Sequence, residues 1–336
     1  MTDPERELCV VTFPGFDPAD PAAGVLFEEA GVDVAFRPLV GPRSPEELVS
    51  IMESASAGIV STDPFDRTVL ERLPRLRALA RTGVGLDSID LEAATRAGVV
   101  VTTTVGALEE TVADHALALM LAAVRRVVEN DASMRRGEWD RLGALTPWGL
   151  HGSCVGVVGL GRIGSAVVRR LQGFGCKVIG SDPYVEDMPG CMLVTLEQLF
   201  ERADIVTLHV PLTPETRGLV DAGRLARMRP SAILVNVSRG DVVDEDALVD
   251  ALRSGQIRGA GLDVFAHEPP AASELLELPN VVLSPHHAGL TSESVRELTY
   301  QAVVSALAVL RGDPHPGIVN PEALSHERQA ARRDQL

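Results

Sequence analysis

Three polar clusters in the second half of the chain carry residues able to do chemistry. They are Asn236-Val237-Ser238-Arg239-Gly240-Asp241, the stretch from Gly261-Leu262-Asp263 to Glu268-Pro269-Pro270, and Leu283-Ser284-Pro285-His286-His287-Ala288-Gly289. Each starts where an apolar run stops. Imidazole titrates nearest neutral pH, so His286 suits proton transfer. A carboxylate beside such a ring favours the imidazolium and fixes its orientation. Glu268 fits that task, with Pro269-Pro270 stiffening its loop. Arg239 has a planar fork that binds a carboxylate or polarises a carbonyl. Taken singly, each has a plainer reading: a surface ion pair, a solvated loop acid, a satisfied core histidine. Their succession at three apolar-run ends favours the chemistry.

A fourth feature lies upstream. Val155–Val158 leads into Gly159-x-Gly161-x-x-Gly164, and a helix-like pattern follows from Ser165 to Leu171. Gly159 suits a tight turn, Gly161 a close approach to a pyrophosphate, and Gly164 close packing of helix on strand. The helix start presents free N–H groups to phosphates. A chain with 30 glycines makes that triplet weak by itself. The site also needs an acid about 20 residues on, for the adenosine ribose. Asp182 stands there, after the apolar run Lys177–Ser181, and a carboxylate at that point favours NAD over NADP.

The elements that must position these residues alternate strand and helix. Leu8–Thr12, Val32–Phe36, Ala57–Thr62, Arg77–Thr82 and Val99–Thr103 read as strands. Val25–Ala30, Glu46–Ser54 and Thr68–Leu73 read as helices between them. Alternation of this kind means a parallel sheet. One long helix is expected from Thr111 to about Arg136, ended by Gly137-Glu138-Trp139. Six strands follow, from Val155–Val158 and Lys177–Ser181 through Ile205–Val210, Ile233–Val237 and Gly261–Val264 to Val281–Ser284. Ligands bind beyond the carboxyl ends of such strands. A last helix runs from Ser292 to Leu310, and a polar tail from Ser325.

Composition bounds the function. At 336 residues the chain predicts about two α/β domains, and its hydrophobic content of 45% suits a soluble protein with a real core. A net charge of −16 argues against nucleic acid and membrane as partners. Cys9, Cys154, Cys176 and Cys191 form no CxxC pair and no zinc-spaced cluster, so no metal is expected and the compartment is cytoplasmic. No apolar run approaches the ~20 residues of a membrane span.

GLGRIG, NVSRGDVVDEDAL, GLDVFAHEPP and LSPHHAGLT, in that order, resemble the D-isomer-specific 2-hydroxyacid dehydrogenases. RTGVGLDSIDLEAATRAGVVV looks like that family's substrate loop, closest to its phosphoglycerate dehydrogenase branch. The resemblance covers about Pro74 to Gly317. It implies two doubly wound parallel-sheet domains. Residues 104–290 would be a Rossmann NAD-binding domain, and residues 1–103 with 291–336 a discontinuous, flavodoxin-like substrate domain. It also implies a homodimer, embraced by the Thr111–Arg136 helix and the arm after it. Trp139 and Arg141 in that arm are candidates to reach a neighbouring subunit's site.

The resemblance assigns catalysis to Arg239, Glu268 and His286. It puts NAD on Gly159, Gly161, Arg162, Ile163, Gly164, Asp182, Val210, Pro211, Val237, Ser238, Arg239, Asp263, His286, Ala288 and Gly289. In this reading Arg162 neutralises a phosphate, Asp263 accepts from the nicotinamide amide or else caps a turn, and His287 lines the cofactor pocket. The substrate, a small 2-hydroxy or 2-oxo acid, would meet Arg81, Gly83, Val84, Gly85, Arg239 and His286. Backbone N–H groups around Val84 and Gly85 would hold its carboxylate, and Arg81 would meet either a second anionic group or an ion-pair partner at its strand end. D-3-phosphoglycerate, and glyoxylate or hydroxypyruvate, are alternative substrates. The family's formate dehydrogenases pair their histidine with Gln, which Glu268 opposes. A dinucleotide-sensing corepressor or scaffold on the same fold is the non-enzymatic alternative. The chain departs from the pattern at Leu108, where many members have Asn. It also lacks the acidic residue usual in Thr146-Pro-Trp-Gly-Leu-His151-Gly152, and ends without the regulatory extension of some phosphoglycerate dehydrogenases.

Overall fold

The computed structural model describes residues 6–39, 43–139, 141 and 147–326. Thr146 and most of the polar tail lie outside them. The chain forms two compact units, residues 1–107 with 291–336, and residues 108–290.

In the first unit, β1 (Glu7–Val11), α1 (Pro21–Ala30), β2 (Val32–Phe36), α2 (Pro45–Met52), β3 (Ala57–Val60), α3 (Arg67–Leu70), β4 (Ala78–Arg81), α4 (Leu91–Arg96) and β5 (Val100–Thr103) follow in order. The strands form one parallel sheet, ordered β2-β1-β3-β4-β5. This is the flavodoxin-like order, which places loops with chemistry beyond the strands' carboxyl ends. Helix starts are capped by short polar side chains. Asp20 accepts from the Ala22 amide, and Ser44 and Glu47 form a reciprocal capping box on α2. Helix α4 is absent from the sequence expectation. Its six residues, started by the Asp90 cap, are too few to show a helical period.

The second unit opens with α5 (Glu109–Arg125) and α6 (Val127–Arg135). The single helix expected here is broken. Arg126 sits at φ 54° in the left-handed region and ends α5. A non-glycine residue gives no warning of such a turn. Helix α5 buries Val112, Ala113, Ala116, Leu117, Met120 and Val124, whereas α6 buries nothing. The chain then runs through β6 (Cys154–Val158), α7 (Arg162–Gly173), β7 (Lys177–Ser181), β8 (Met192–Leu193), α8 (Leu196–Arg202), β9 (Ile205–Leu208), α9 (Ala222–Leu225), β10 (Ile233–Asn236), α10 (Glu245–Arg253), β11 (Gly259–Leu262) and β12 (Val281–Leu283).

This sheet has seven parallel strands, not the expected six, in the order β12-β11-β10-β9-β6-β7-β8. The addition is β8, only two residues long. The order reverses between β6 and β9, the switch point where a Rossmann sheet opens a crevice. Strand β11 starts two residues before the expected one, because its small residues carry no apolar signal. They are small for packing: a Cβ on Gly261 would lie 3.0 Å from the Leu119 Cβ of α5.

The last helix, α11 (Ser292–Arg311), returns to the first unit. It buries Leu298, Ala302, Val303, Ala306, Leu307 and Leu310, and the Ser305 hydroxyl meets that of Thr102 on β5 at 2.9 Å. No described helix is long and apolar enough to cross a membrane.

Candidate active site

In the second unit, every expected site residue lies near the carboxyl end of a strand. Gly159 follows β6 at φ 86°, where a Cβ would sit 2.8 Å from the His209 carbonyl oxygen. A Cβ on Gly164 would collide with the Gly159 carbonyl, while one on Gly161, the first cap of α7, would meet nothing. The outer glycines therefore serve the chain's own packing, and the middle one leaves space. The first α7 amide to bond back is that of Ser165, at 2.9 Å from the Gly161 carbonyl. The amides of Arg162, Ile163 and Gly164 have no helical acceptor. Open space above amides that have no acceptor among the described residues fits a pyrophosphate.

Asp182 ends β7 at the rim of this turn. Its carboxylate accepts from the Leu160 amide at 2.8 Å and the Tyr184 amide at 2.9 Å, with lone pairs to spare for a ribose. Arg162 is exposed and lies 3.5 Å from Glu109, so any phosphate shares it with that acid. Val210 and Pro211 follow β9, and buried Val237 and Ser238 follow β10. Behind the turn, burial holds His209 neutral and lowers its pKa to about 3. Its Nε2 meets the Thr207 hydroxyl at 2.9 Å.

The three candidate catalytic residues occupy the loops after β10, β11 and β12. Asn236 frames the first loop. Its Oδ1 accepts from the Ser238 amide and hydroxyl, and its Nδ2 donates to the Arg239 carbonyl at 2.9 Å. The Arg239 Nη1 donates to the Ser238 carbonyl at 2.7 Å. A Cβ on Gly240 would collide with the backbone of Phe265 and Ala266, so the Arg239 and Glu268 loops touch through bare backbone. Glu268 Oε1 accepts from the Phe265 amide at 3.1 Å, and its Oε2 lies 2.7 Å from His286 Nδ1. That pairing assigns the neutral ring's proton to Nδ1. His286 Nε2 makes no hydrogen bond among the described residues. His286 has φ 51°, a strained conformation for a residue with a Cβ.

Asp263 holds this histidine loop. Its carbonyl accepts from the His286 amide at 2.7 Å. Its carboxylate takes the Ser284 hydroxyl at 2.5 Å and the amides of His287 and Ala288 at 2.8 Å each. His115 of α5 adds a bond to Ser284 at 2.8 Å and approaches Asp263 at 3.4 Å. Burial alone would raise the Asp263 pKa, but these bonds from His115, Ser284, His287 and Ala288 outweigh it and hold the carboxyl below its usual value. Asp263 has no exposed surface. Its carboxylate thus caps the histidine loop. His287 stacks on His115, ring centroids 6.4 Å apart, and Gly289 packs 3.3 Å from Leu108 when given a Cβ. The leucine at the family's usual Asn position thus fills space under the histidine loop. Ala288 is buried in the core beside it. His115 escapes sequence reasoning, although it is the only ring within the apolar stretch of α5.

In the first unit, the loop after β4 bears the expected substrate contacts. The Gly83 amide donates to the Thr104 hydroxyl at 2.8 Å. The amides of Val84 and Gly85 make no hydrogen bond among the described residues, and Val84 is 43% exposed. They remain available to a carboxylate. Arg81 turns into its own loop. It is only 8% exposed, donates to the Thr82 carbonyl, and lies under Gly83, where a Cβ would strike its guanidinium. The neighbouring loop after β3 carries Asp63. This acid accepts from Thr12 at 2.6 Å and pairs with Arg43 at 3.3 Å. No group of His, Cys, Asp and Glu among the described residues could hold a metal.

Residues 117–288 match the family model of the D-isomer specific 2-hydroxyacid dehydrogenase NAD binding domain. The chain belongs to the D-isomer specific 2-hydroxyacid dehydrogenase family. A glyoxylate reductase of Thermococcus litoralis is 40% identical over 92% of this chain and 90% of its own length. A D-3-phosphoglycerate dehydrogenase of Mycobacterium leprae is 42% identical over 90% of this chain, but over 58% of its own length. The crystal structure of the TT0316 protein from Thermus thermophilus superposes with a TM-score of 0.85 at 39% identity, covering 93% of this chain and 99% of that one. As a member of this family the protein is an NAD-dependent oxidoreductase acting on 2-hydroxy acids or, in reverse, on 2-oxo acids. The fold is therefore that of an enzyme with two parallel-sheet α/β units.

Proposed function

We propose that the substrate is a small, unphosphorylated 2-oxo acid of the glyoxylate or hydroxypyruvate kind, reduced to its D-2-hydroxy acid. The inward turn of Arg81 carries this reading. The cation best placed in sequence to meet a phosphoryl group holds its own loop instead. Arg43 in the same unit is already matched by Asp63. The amides of Val84 and Gly85 serve the C1 carboxylate that every 2-oxo acid has.

NAD, when bound, supplies or accepts the hydride. The pyrophosphate would rest on the amides of Arg162, Ile163 and Gly164, and the ribose on Asp182. In reduction, His286 gives the Nε2 proton to the oxygen that becomes the hydroxyl, and in oxidation Nε2 takes it back. Glu268 on Nδ1 stabilises the charged ring and fixes which nitrogen faces the reaction. Arg239 holds the carboxylate and draws charge from the carbonyl.

The exposed apolar residues Val127, Val128 and Met134 of α6, followed by Trp139, support a homodimer in which that arm covers a second copy. Four free thiols favour a reducing compartment, the cytoplasm, and the charge of −16 disfavours nucleic acid.

Following NADH oxidation with glyoxylate, hydroxypyruvate and phosphohydroxypyruvate tests the substrate. Hydroxypyruvate is expected to exceed its phosphorylated form at least tenfold in kcat/KM. The opposite ranking would establish phosphoglycerate chemistry.

A further inference from the structure

We propose that Glu245, at the start of α10, is a positioning residue for the His286–Glu268 pair. The proposal rests on reading that pair as the acid–base machinery. Glu245 Oε2 accepts from the Ala266 amide at 3.0 Å, and Oε1 accepts from the Ser273 hydroxyl at 2.6 Å. Those two partners bracket the loop that carries Glu268. Just before the first of them, the Phe265 amide donates to Glu268 itself.

The Phe265–Ala266 peptide is held from two sides. Its carbonyl face abuts Gly240, next to Arg239, and its N–H is fixed by Glu245. One side chain thus spans both ends of the Glu268 loop at the point where that loop abuts the Arg239 loop. Capping of α10 does not require this. Asp244 is the cap, accepting from the Ala247 amide at 3.1 Å, and Asp246 adds a further acidic charge to the first turn. Glu245 directs both oxygens away from its helix. Without them the loop is free to drift, and a displacement of an ångström costs an acid–base step far more than it costs binding.

Kinetics of NADH-dependent reduction by the full-length protein test this, with glyoxylate as substrate. Glu245→Ala is expected to lower kcat about tenfold or more, with NADH affinity, read by fluorescence, within twofold of wild type. Glu245→Gln should recover most of the loss. Its amide oxygen still accepts from Ala266, and its amide N–H can donate to the Ser273 hydroxyl. Ser273→Ala, which removes one anchor, should fall between the two. In a Glu268→Gln background, Glu245→Ala should add little, because the group it positions has already been changed. Unchanged kcat in Glu245→Ala, no rescue by Gln, or independent multiplication with Glu268→Gln would each overturn the proposal. Wild-type turnover by Glu268→Gln alone would instead overturn the acid–base reading beneath it. If Glu245→Ala does not fold, Ser273→Ala decides: wild-type kcat there overturns the role.

Discussion

Glu268 meets His286 at Nδ1, 2.7 Å away, and leaves Nε2 without a partner among the described residues. One nitrogen is fixed and the other is offered. His287, next in the chain, stacks on His115, and no carboxylate among the described residues pairs with its ring. His286→Ala should therefore lower turnover by about 10²-fold or more, the usual size of an acid–base contribution. His287→Ala should cost far less. Steady-state rates of both variants, with NADH binding as a control for folding, separate the two histidines. A larger loss at His287 would reverse the assignment.

Asp182 should make the protein discriminate against NADPH. A phosphate beside that carboxylate brings like charges together, which costs several kcal/mol. Wild-type kcat/KM for NADH is expected to exceed that for NADPH by about 10²-fold, and Asp182→Ser should shrink the ratio at least tenfold. Part of the NADH rate will fall too, because Asp182 also holds the Leu160 and Tyr184 amides. Equal use of both cofactors by wild type would remove the discriminating role.

Gly240→Ala should damage stability and turnover together. Its Cβ would run into the Phe265–Ala266 backbone, which cannot swing aside as a side chain could. Overpacking of this kind costs about 1–3 kcal/mol. Denaturant melts should show the loss, and kcat should fall more than the affinity for NADH. Unchanged melts would mean that the two loops do not touch in solution.

His209 gives stability a pH dependence. Burial lowers its pKa from 6.5 to about 3 in the fold. Below pH 6.5 the unfolded chain binds a proton there that the folded chain refuses. This contribution is complete above pH 6.5 and falls as pH drops toward 3, by about 1.4 kcal/mol per pH unit at most. Unfolding free energies at pH 7 and 5.5 should differ less in His209→Gln than in wild type. An unchanged slope would assign the acid sensitivity to other groups.

The sequence made the sheet unit that carries the chemistry legible because strands buried on both faces are short apolar runs, and each one ends at its polar cluster. Period and composition fail where elements are too short, as in two-residue β8 and six-residue α4. They also fail where a break is made by an ordinary residue, as at Arg126. Site residues were legible by type and order. Side-chain direction was not. Nothing in the order of residues tells that Arg81 turns under Gly83, or that the Asp263 oxygens are taken up by Ser284, His287 and Ala288. Such outcomes depend on which donors the folded loops bring within reach. The contribution of Glu245 was hidden for the same reason, since its two partners lie 21 and 28 residues downstream.

The left-handed backbone at His286 sets stability against activity at a single position. Glycine accepts φ 51° without penalty, whereas a residue with a Cβ there gives up roughly 1–2 kcal/mol. Replacing His286 by Gly should therefore leave a protein that melts at or above the wild-type temperature, yet turns over almost nothing. Differential scanning calorimetry of His286→Gly beside His286→Ala reads this, with Ala the less stable of the two. Screens that select only for heat resistance would drift toward such inactive variants. A thermostable form of this enzyme should therefore be sought with His286 held fixed and the surrounding scaffold varied.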